Sequence, residues 1–237
     1  MWNKAIKLTK QIFYSSIFFL LSSSTFASPI KSLVLIYDEE EVGAGVQTMR
    51  YIINDNFLRI DSDNADTDFI LFDRNKKTVF SVNHEDQTIL KISHKPWQSP
   101  KYDFPVSIKE NALIDAPKVF GKQVYSYQVK AKDTACTTVL LVKDIHMNDL
   151  QVLHEFQGIM SGQQVTTLVN TPKEYQTPCF LVDQVFHKAD YLKIGLPIQI
   201  SYSRDYSKFL KAINESEIDA ALFVLPKNYE EFLPFAP

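Results

Sequence analysis

The residues able to do chemistry are few and scattered. Five histidines occur, His84, His94, His146, His154 and His187. His146 and His154 lie eight positions apart, with Met147 and Met160 nearby, and outline the one stretch where a copper or zinc site would be sought. Helical zinc pairs sit at i, i+4 with a carboxylate partner, so capped or solvent-facing histidines fit this spacing better. A hidden hydrolase or metal-handling constellation would be sought first at Asp144, His146, Asp149 and His154. There is no G-x-S-x-G elbow to raise a serine nucleophile. The acidic run Asp38-Glu39-Glu40-Glu41 lacks the alternating ligands and mid-loop glycine of a calcium loop, and reads as a solvated strand end. Asn214-Glu215-Ser216 is a glycosylation sequon, useful only on a eukaryotic secretory route that nothing else in the chain supports. The residue pattern therefore predicts no catalytic residue, no metal and no cofactor.

Cys136 and Cys179 are the only thiols, and their meaning depends on compartment. The first 27 residues have the form of a secretory signal. Lys4, Lys7 and Lys10 form a positive start without acids, Ile12 to Leu21 an apolar run of ten, and small residues precede a cut before Ser28. That run is too short to span a bilayer, which takes about 20 residues; a signal kept as an anchor is the alternative. No cysteine follows it, so no bacterial lipid anchor is expected. The expected address is the periplasm, or secretion, and no stable membrane insertion is expected after cleavage. There, two cysteines most economically form one disulfide closing a loop of about 44 residues, in preference to a redox pair or copper thiolate, since neither C-x-x-C spacing nor a Cys-His-Met cluster is present. Cleavage removes three of the 25 basic residues, leaving 210 residues with 22 basic and 28 acidic groups. That balance argues against nucleic acid or an anionic membrane as the main partner, because both need a basic face.

The elements that position these residues fall into two zones. Short β-branched and apolar segments recur at Leu33–Tyr37, Val46–Ile53, Phe57–Asp61, Phe69–Phe72, Thr78–Val82 and Thr88–Ile92, separated by Gly, Asn, Asp and Lys turn clusters. Connections this short require an antiparallel meander and exclude βαβ crossovers. After a Pro-containing loop from His94 to Pro105, strands are expected at Val124–Lys130 and Thr137–Val142. An amphipathic helix is expected from Asn148 to Met160, with Leu150, Leu153, Phe156, Ile159 and Met160 on one face and Gly162 as its stop. Further strands are expected at Phe180–Phe186, Ile198–Ser203 and Ile218–Leu225, with a short helix at Ser207–Ile213. The disulfide would then join the strand before the main helix to the strand after it.

The run Met49-Arg50-Tyr51-Ile52-Ile53 … Phe57-Leu58-Arg59-Ile60-Asp61 … Phe69-Ile70-Leu71-Phe72-Asp73 … Lys77-Thr78-Val79-Phe80-Ser81-Val82 … Gln87-Thr88-Ile89-Leu90 resembles the opening meander of bacterial exported proteins with a LolA-like fold. The close, Gly195-Leu196-Pro197-Ile198 through Leu222-Phe223-Val224-Leu225-Pro226-Lys227-Asn228-Tyr229, is similar to that of uncharacterised members of the group. Together they cover most of the mature chain. The resemblance implies one domain over 28–237, mainly antiparallel β in an α+β arrangement: a curved half-barrel sheet covered by one or two helices, with an apolar cavity between. Relatives carry the acyl chains of lipoproteins across the periplasm or receive them at the outer membrane. An arginine of the early strands matters in the carriers, and Arg50 and Arg59 are both candidates here.

Strand alternation marks Met49, Tyr51 and Ile53, then Leu58 and Ile60, then Phe69 and Leu71, then Leu90 and Ile92 as the apolar lining of such a cavity, or as ordinary core. The leading expectation is a non-enzymatic periplasmic carrier of a hydrophobic ligand, whether lipid, acyl chain or lipoprotein. The alternative is an accessory protein that binds another envelope protein without a small-molecule ligand.

Overall fold

The computed structural model describes residues 28–62, 67–98, 103–186, 189–203 and 205–234. The expected signal segment, residues 1–27, and His187 lie outside the described residues. Among the described residues, twelve strands form one sheet in the order β12-β6-β5-β4-β3-β2-β1-β11-β10-β9-β8-β7, with β12 and β7 at its edges, so the sheet is not closed.

The six strands of the first zone stand close to where turn chemistry puts them: β1 (Ile30–Glu41), β2 (Gly45–Ile53), β3 (Phe57–Asp61), β4 (Phe69–Asp73), β5 (Thr78–Asn83) and β6 (Thr88–Ser93). Each pairs antiparallel with the next. The turns explain the precision: Lys77 and Gln87 take left-handed conformations, and the Asn54 side chain accepts hydrogen bonds from the backbone N–H groups of Asn56 and Phe57 at 2.9 Å. The second zone starts at the far edge with β7 (Val106–Ala112), which the sequence reading missed, and returns through β8 (Val124–Ala131) and β9 (Thr134–Lys143). After the helix α1 (Met147–Thr167), β10 (Gly195–Tyr202) joins β9, and β11 (Tyr206–Ile218) closes against β1, so two meanders meet at the β1–β11 pair. β12 (Glu230–Phe232) adds a parallel edge beside β6.

Several expected elements are corrected. Ser207–Ile213 is strand rather than helix, because it hydrogen-bonds to both β1 and β10 and that ladder outweighs local propensity. Ile218–Leu225 is strand only at its first residue; Ala220–Phe223 is a 3-10 turn, and its apolar side chains cover the outer face of the sheet instead of extending it. Phe180–Phe186 is helical. Thr177 caps α2 (Pro178–Phe180) by accepting from the Phe180 N–H, Pro178 sits in the first turn, and a π-helical turn (Leu181–Phe186) follows, burying Val182, Val185 and Phe186 at helical spacing. The disulfide between Cys136 and Cys179 therefore ties β9 to α2, not strand to strand. Gly162 does not stop α1: the helix runs five residues further, and a Cβ at Gly162 would lie 2.6 Å from the Trp97 ring. The bare backbone there is a seat for Trp97.

Two apolar layers sandwich the sheet. The larger combines Leu35, Tyr51, Ile53, Leu58, Phe72 and Ile92 with Leu141, Leu196 and the helix residues Leu150, Leu153, Phe156 and Ile159. The smaller, on the other face, gathers Val34, Ile52, Phe69, Leu71, Phe80, Val82 and Ile89 under Phe223, whose ring stacks on Phe57 at 5.4 Å. Backbones pack equally closely: a Cβ on Gly195 would lie 2.2 Å from the Val142 carbonyl oxygen, where β9 meets β10. Gly195→Ala is expected to cost about 1–3 kcal/mol, because rigid backbone rather than a flexible side chain would have to move; thermal unfolding measures it, and an unchanged melting temperature would contradict it.

Candidate functional site

Helix α1 lies across one face of the sheet, touching β3, β5 and β6 on one side and β10 on the other. A cavity opens along each of its flanks. The larger, about 830 Å³, lies between α1 and the ends of β4–β6. Its apolar surface comes from Phe72, Ile159, Pro96 and Trp97, with Gly158 leaving a stretch of helix bare of side chain. Its polar surface is Asp55, Arg74, Asn75, Lys77, His94, His154 and Glu155. Arg74 grips Glu155 with two hydrogen bonds, at 2.6 and 2.8 Å, tying the β4–β5 turn to the helix. His154 meets Asp190 at 3.2 Å, and that contact, opposed by burial and helped by Lys193, holds the Asp190 carboxyl down to about 2.

The smaller cavity, about 220 Å³, lies on the opposite flank, between α1, the turn Leu181–Phe186 and strands β8–β11. Its wall includes Lys208, which faces Glu39 directly across the β1–β11 ladder at 2.8 Å. Glu39 stands on the inner face with Leu35 and Tyr37, so of the acidic run only Glu40 and Glu41 form the solvated end expected. Tyr51 donates to the Glu39 carboxylate and accepts from the Lys208 ammonium, each at 2.5 Å, and Tyr206 donates to the second carboxylate oxygen. Burial alone would raise the Glu39 carboxyl, but Lys208 together with the Tyr206 and Tyr51 hydroxyls outweighs it and holds the group below its ordinary value. Burial would likewise lower the Lys208 ammonium, and Glu39, with the tyrosines, overrides it and raises the group. Burial pushes Tyr51 and Tyr206 well up. Every shift here leads away from neutrality, so the cluster holds fixed charge and has no proton poised for transfer near pH 7.

Of the nine residues expected to line a cavity, Met49, Tyr51, Ile53, Leu58, Ile60, Leu90 and Ile92 do face the helix, packed into the main core. Phe69 and Leu71 belong to the opposite layer. The β3–β4 register pairs Leu58 with Phe72 and Ile60 with Ile70, which turns Ile70 and Phe72 inward. The strand reads F-I-L-F, apolar on both faces because both are covered, so alternation could not choose between them. Arg50 and Arg59 both grip Asp61, at 2.9 and 2.6 Å; Arg59 also reaches the Leu222 carbonyl and lies 3.7 Å over the Phe69 ring, on the outer layer. His146 pairs with Asp149 at 3.4 Å and His84 with the Tyr229 hydroxyl at 2.7 Å. Among the described residues no three His, Cys, Asp or Glu side chains are grouped so as to hold a metal, and no helix is long and apolar enough to cross a membrane. Sequence reading missed Trp97 and Lys208; a tryptophan in a proline-rich loop and a lysine in an amphipathic strand carry no distinguishing pattern.

No family model matches the chain, and no curated protein matches it. Among solved structures, an uncharacterised conserved protein from Thermus thermophilus is similar at 9% identity with a TM-score of 0.42, over 86% of this chain and 90% of that one. Two structures of PNGF-II are similar at 9% and 11% identity, with TM-scores of 0.39 and 0.40 over 86% of this chain. This chain spans about a third of PNGF-II, 31% and 32% in the two structures.

Proposed function

We propose that the protein is a non-enzymatic, exported binding protein of the periplasm that holds a hydrophobic ligand, such as a lipid, an acyl chain or a lipid-modified protein, against the inner face of a LolA-like half-barrel. The observation that carries this reading is the 830 Å³ groove between α1 and β4–β6, floored by Phe72 and Ile159 and flanked by Trp97. Its size lies within the roughly 300–1,000 Å³ typical of sites that bury a whole small ligand. An apolar floor with Lys77 and His94 among its polar residues suits an amphiphile, apolar chain inward and head group at the mouth.

The half-barrel reading has its own support. The helix touches both β6 and β10, which stand seven strands apart in the sheet order. In a flat sheet that separation would be about 34 Å at ~4.8 Å per strand, more than the ~31 Å length of the 21-residue helix even if it lay straight across the strands. A sheet curled around α1 brings both within reach.

Native mass spectrometry of the mature protein is the test, with uptake of a fluorescent fatty acid as its quantitative form. Lipid-like excess mass, lost on denaturation, is the expected result. Trp97→Ala is expected to weaken fatty-acid uptake about tenfold through loss of one aromatic wall. A bare mass together with no saturable uptake overturns the carrier reading. The accessory-protein reading would then gain, and it has an observation of its own: edge strand β7 is exposed at six of its seven positions, offering an unpaired backbone edge on which a partner's strand could add.

A further inference from the structure

The smaller cavity has a composition that core packing does not explain. On α1, Gln157, Ser161 and Gln164 stand at i, i+4 and i+7, one helical face, and that face is the cavity wall where an amphipathic helix would carry apolar residues. Ser161 is 3% exposed, yet its hydroxyl has no hydrogen-bond partner among the described residues. The amides of Gln157, Gln164 and, from the facing turn, Gln184 likewise bond to no other described residue. The three glutamines are half-buried, and a hydroxyl and amides gathered on one cavity wall without protein partners are answered by an occupant that itself offers hydrogen bonds.

We propose that this cavity binds a single sugar ring or a polyol of the same size. The charges disfavour an anion, because Lys208 is already matched by Glu39 and the wall carries a further carboxylate, Asp183, which accepts from the uncharged Thr137 hydroxyl. The remaining polar wall is amide and hydroxyl, groups that both donate and accept, which is the pattern a ring of hydroxyls answers. Lys208 adds directional donation: its ammonium carries three protons, and Glu39 and Tyr51 are its partners among the described residues. Phe156 and the Tyr202–Tyr206 pair, with ring centroids 5.7 Å apart, supply flat apolar faces for the C–H side of such a ring. The volume, about 220 Å³, equals roughly seven waters at ~30 Å³ each, and falls below the range of drug-sized sites. This site and the groove lie on opposite flanks of α1, so the proposal stands whether or not a lipid binds.

The experiment titrates the disulfide-bonded mature chain with D-glucose, D-galactose, N-acetylglucosamine and myo-inositol by calorimetry, with glycine and acetate as zwitterionic and anionic controls. At least one of the four is expected to saturate at one per chain with a Kd of about 1 mM or tighter. Gln164→Leu and Ser161→Ala are expected to weaken it at least about tenfold while melting as wild type. Should either variant unfold, amide shift changes in the wild-type protein decide: clustered at Gln157–Gln164 and Leu181–Gln184 they support the site, and elsewhere they overturn it. No saturation by any of the four, saturation by glycine or acetate instead, or undiminished binding by folded variants also overturns it.

Discussion

Replacing Cys136 by serine, or reducing the bond, is expected to lower stability by about 4 kcal/mol, the chain-entropy value for a closed loop of this length. The bridge spans 43 positions and ties strand β9, where Cys136 is 1% exposed, to α2. For a chain of this size the loss should appear as a fall of roughly 8–16 °C in melting temperature. It should also be local. Leu181–Phe186 follows Cys179 directly and supplies Asp183 and Gln184 to the smaller cavity, whereas the groove is built from the β4–β5 turn, the loop after β6 and α1. Hydrogen exchange at Pro178–Phe186 is therefore expected to accelerate in Cys136→Ser while β1–β6 stay protected. Equal melting temperatures for oxidised and reduced protein would contradict the prediction, and uniform acceleration along the chain would contradict its local part.

A contrast between local and distant contacts also decides what could be read from the residues alone. The β1–β6 meander was legible because each turn carries its own chemistry, such as left-handed Lys77 and Gln87 or the Asn54 side-chain turn, and each strand pairs with its chain neighbour. Local signals suffice where contacts are local. In the second half they do not. Ser207–Ile213 owes its strand conformation to distant partners in β1, Ser207 facing Glu40 and Ile213 facing Leu35, and Phe180–Phe186 is helical through the Thr177 cap and its docking beside α1. The candidate sites divide the same way. The inward face of β2 and β3 was readable by alternation, but Phe69 and Leu71 took the outer face in a strand apolar on both sides. The groove needs Trp97 brought onto Gly162 by the long connection between β6 and β7, for which no periodic signal exists. The Gln157, Ser161, Gln164 face was visible as a helical spacing. Nothing in the residues sets it apart, because Leu150, Leu153, Phe156 and Ile159 on the neighbouring face already account for an amphipathic helix.

The pairing of Glu39 with Lys208 supplies the other large effect, and its pH dependence separates it from ordinary loss of packing. Both side chains are mostly buried, 16% and 19% exposed, and truncating one leaves the other's charge without its counter-ion. Lys208→Met is expected to cost about 3 kcal/mol at pH 7, the lower end of the range for a broken buried pair because some solvent reaches both groups. Glu39→Gln should cost about as much, and the double variant should cost less than the two losses added, since no unmatched charge remains. In the wild-type protein the Glu39 carboxyl lies below its ordinary 4.5, so its contribution is present above that value and disappears as pH falls through the lower folded value. Lys208 lies above its ordinary 10.5, so its contribution is complete below 10.5 and is lost only as pH rises through the higher folded value. Between those limits the pair contributes a constant amount. Removing Lys208 reverses the acid limb, because burial, no longer opposed by the ammonium, raises the Glu39 carboxyl. The stability gap between wild type and Lys208→Met should therefore be widest near pH 7 and narrow as pH falls, first as the variant's raised carboxyl takes up its proton and then as the wild-type carboxyl does so through its value below 4.5. Urea unfolding at a series of pH values measures this directly. A gap that stays constant from about pH 7 to about pH 3 would mean that Lys208 stabilises the fold through its methylene packing and not through its charge.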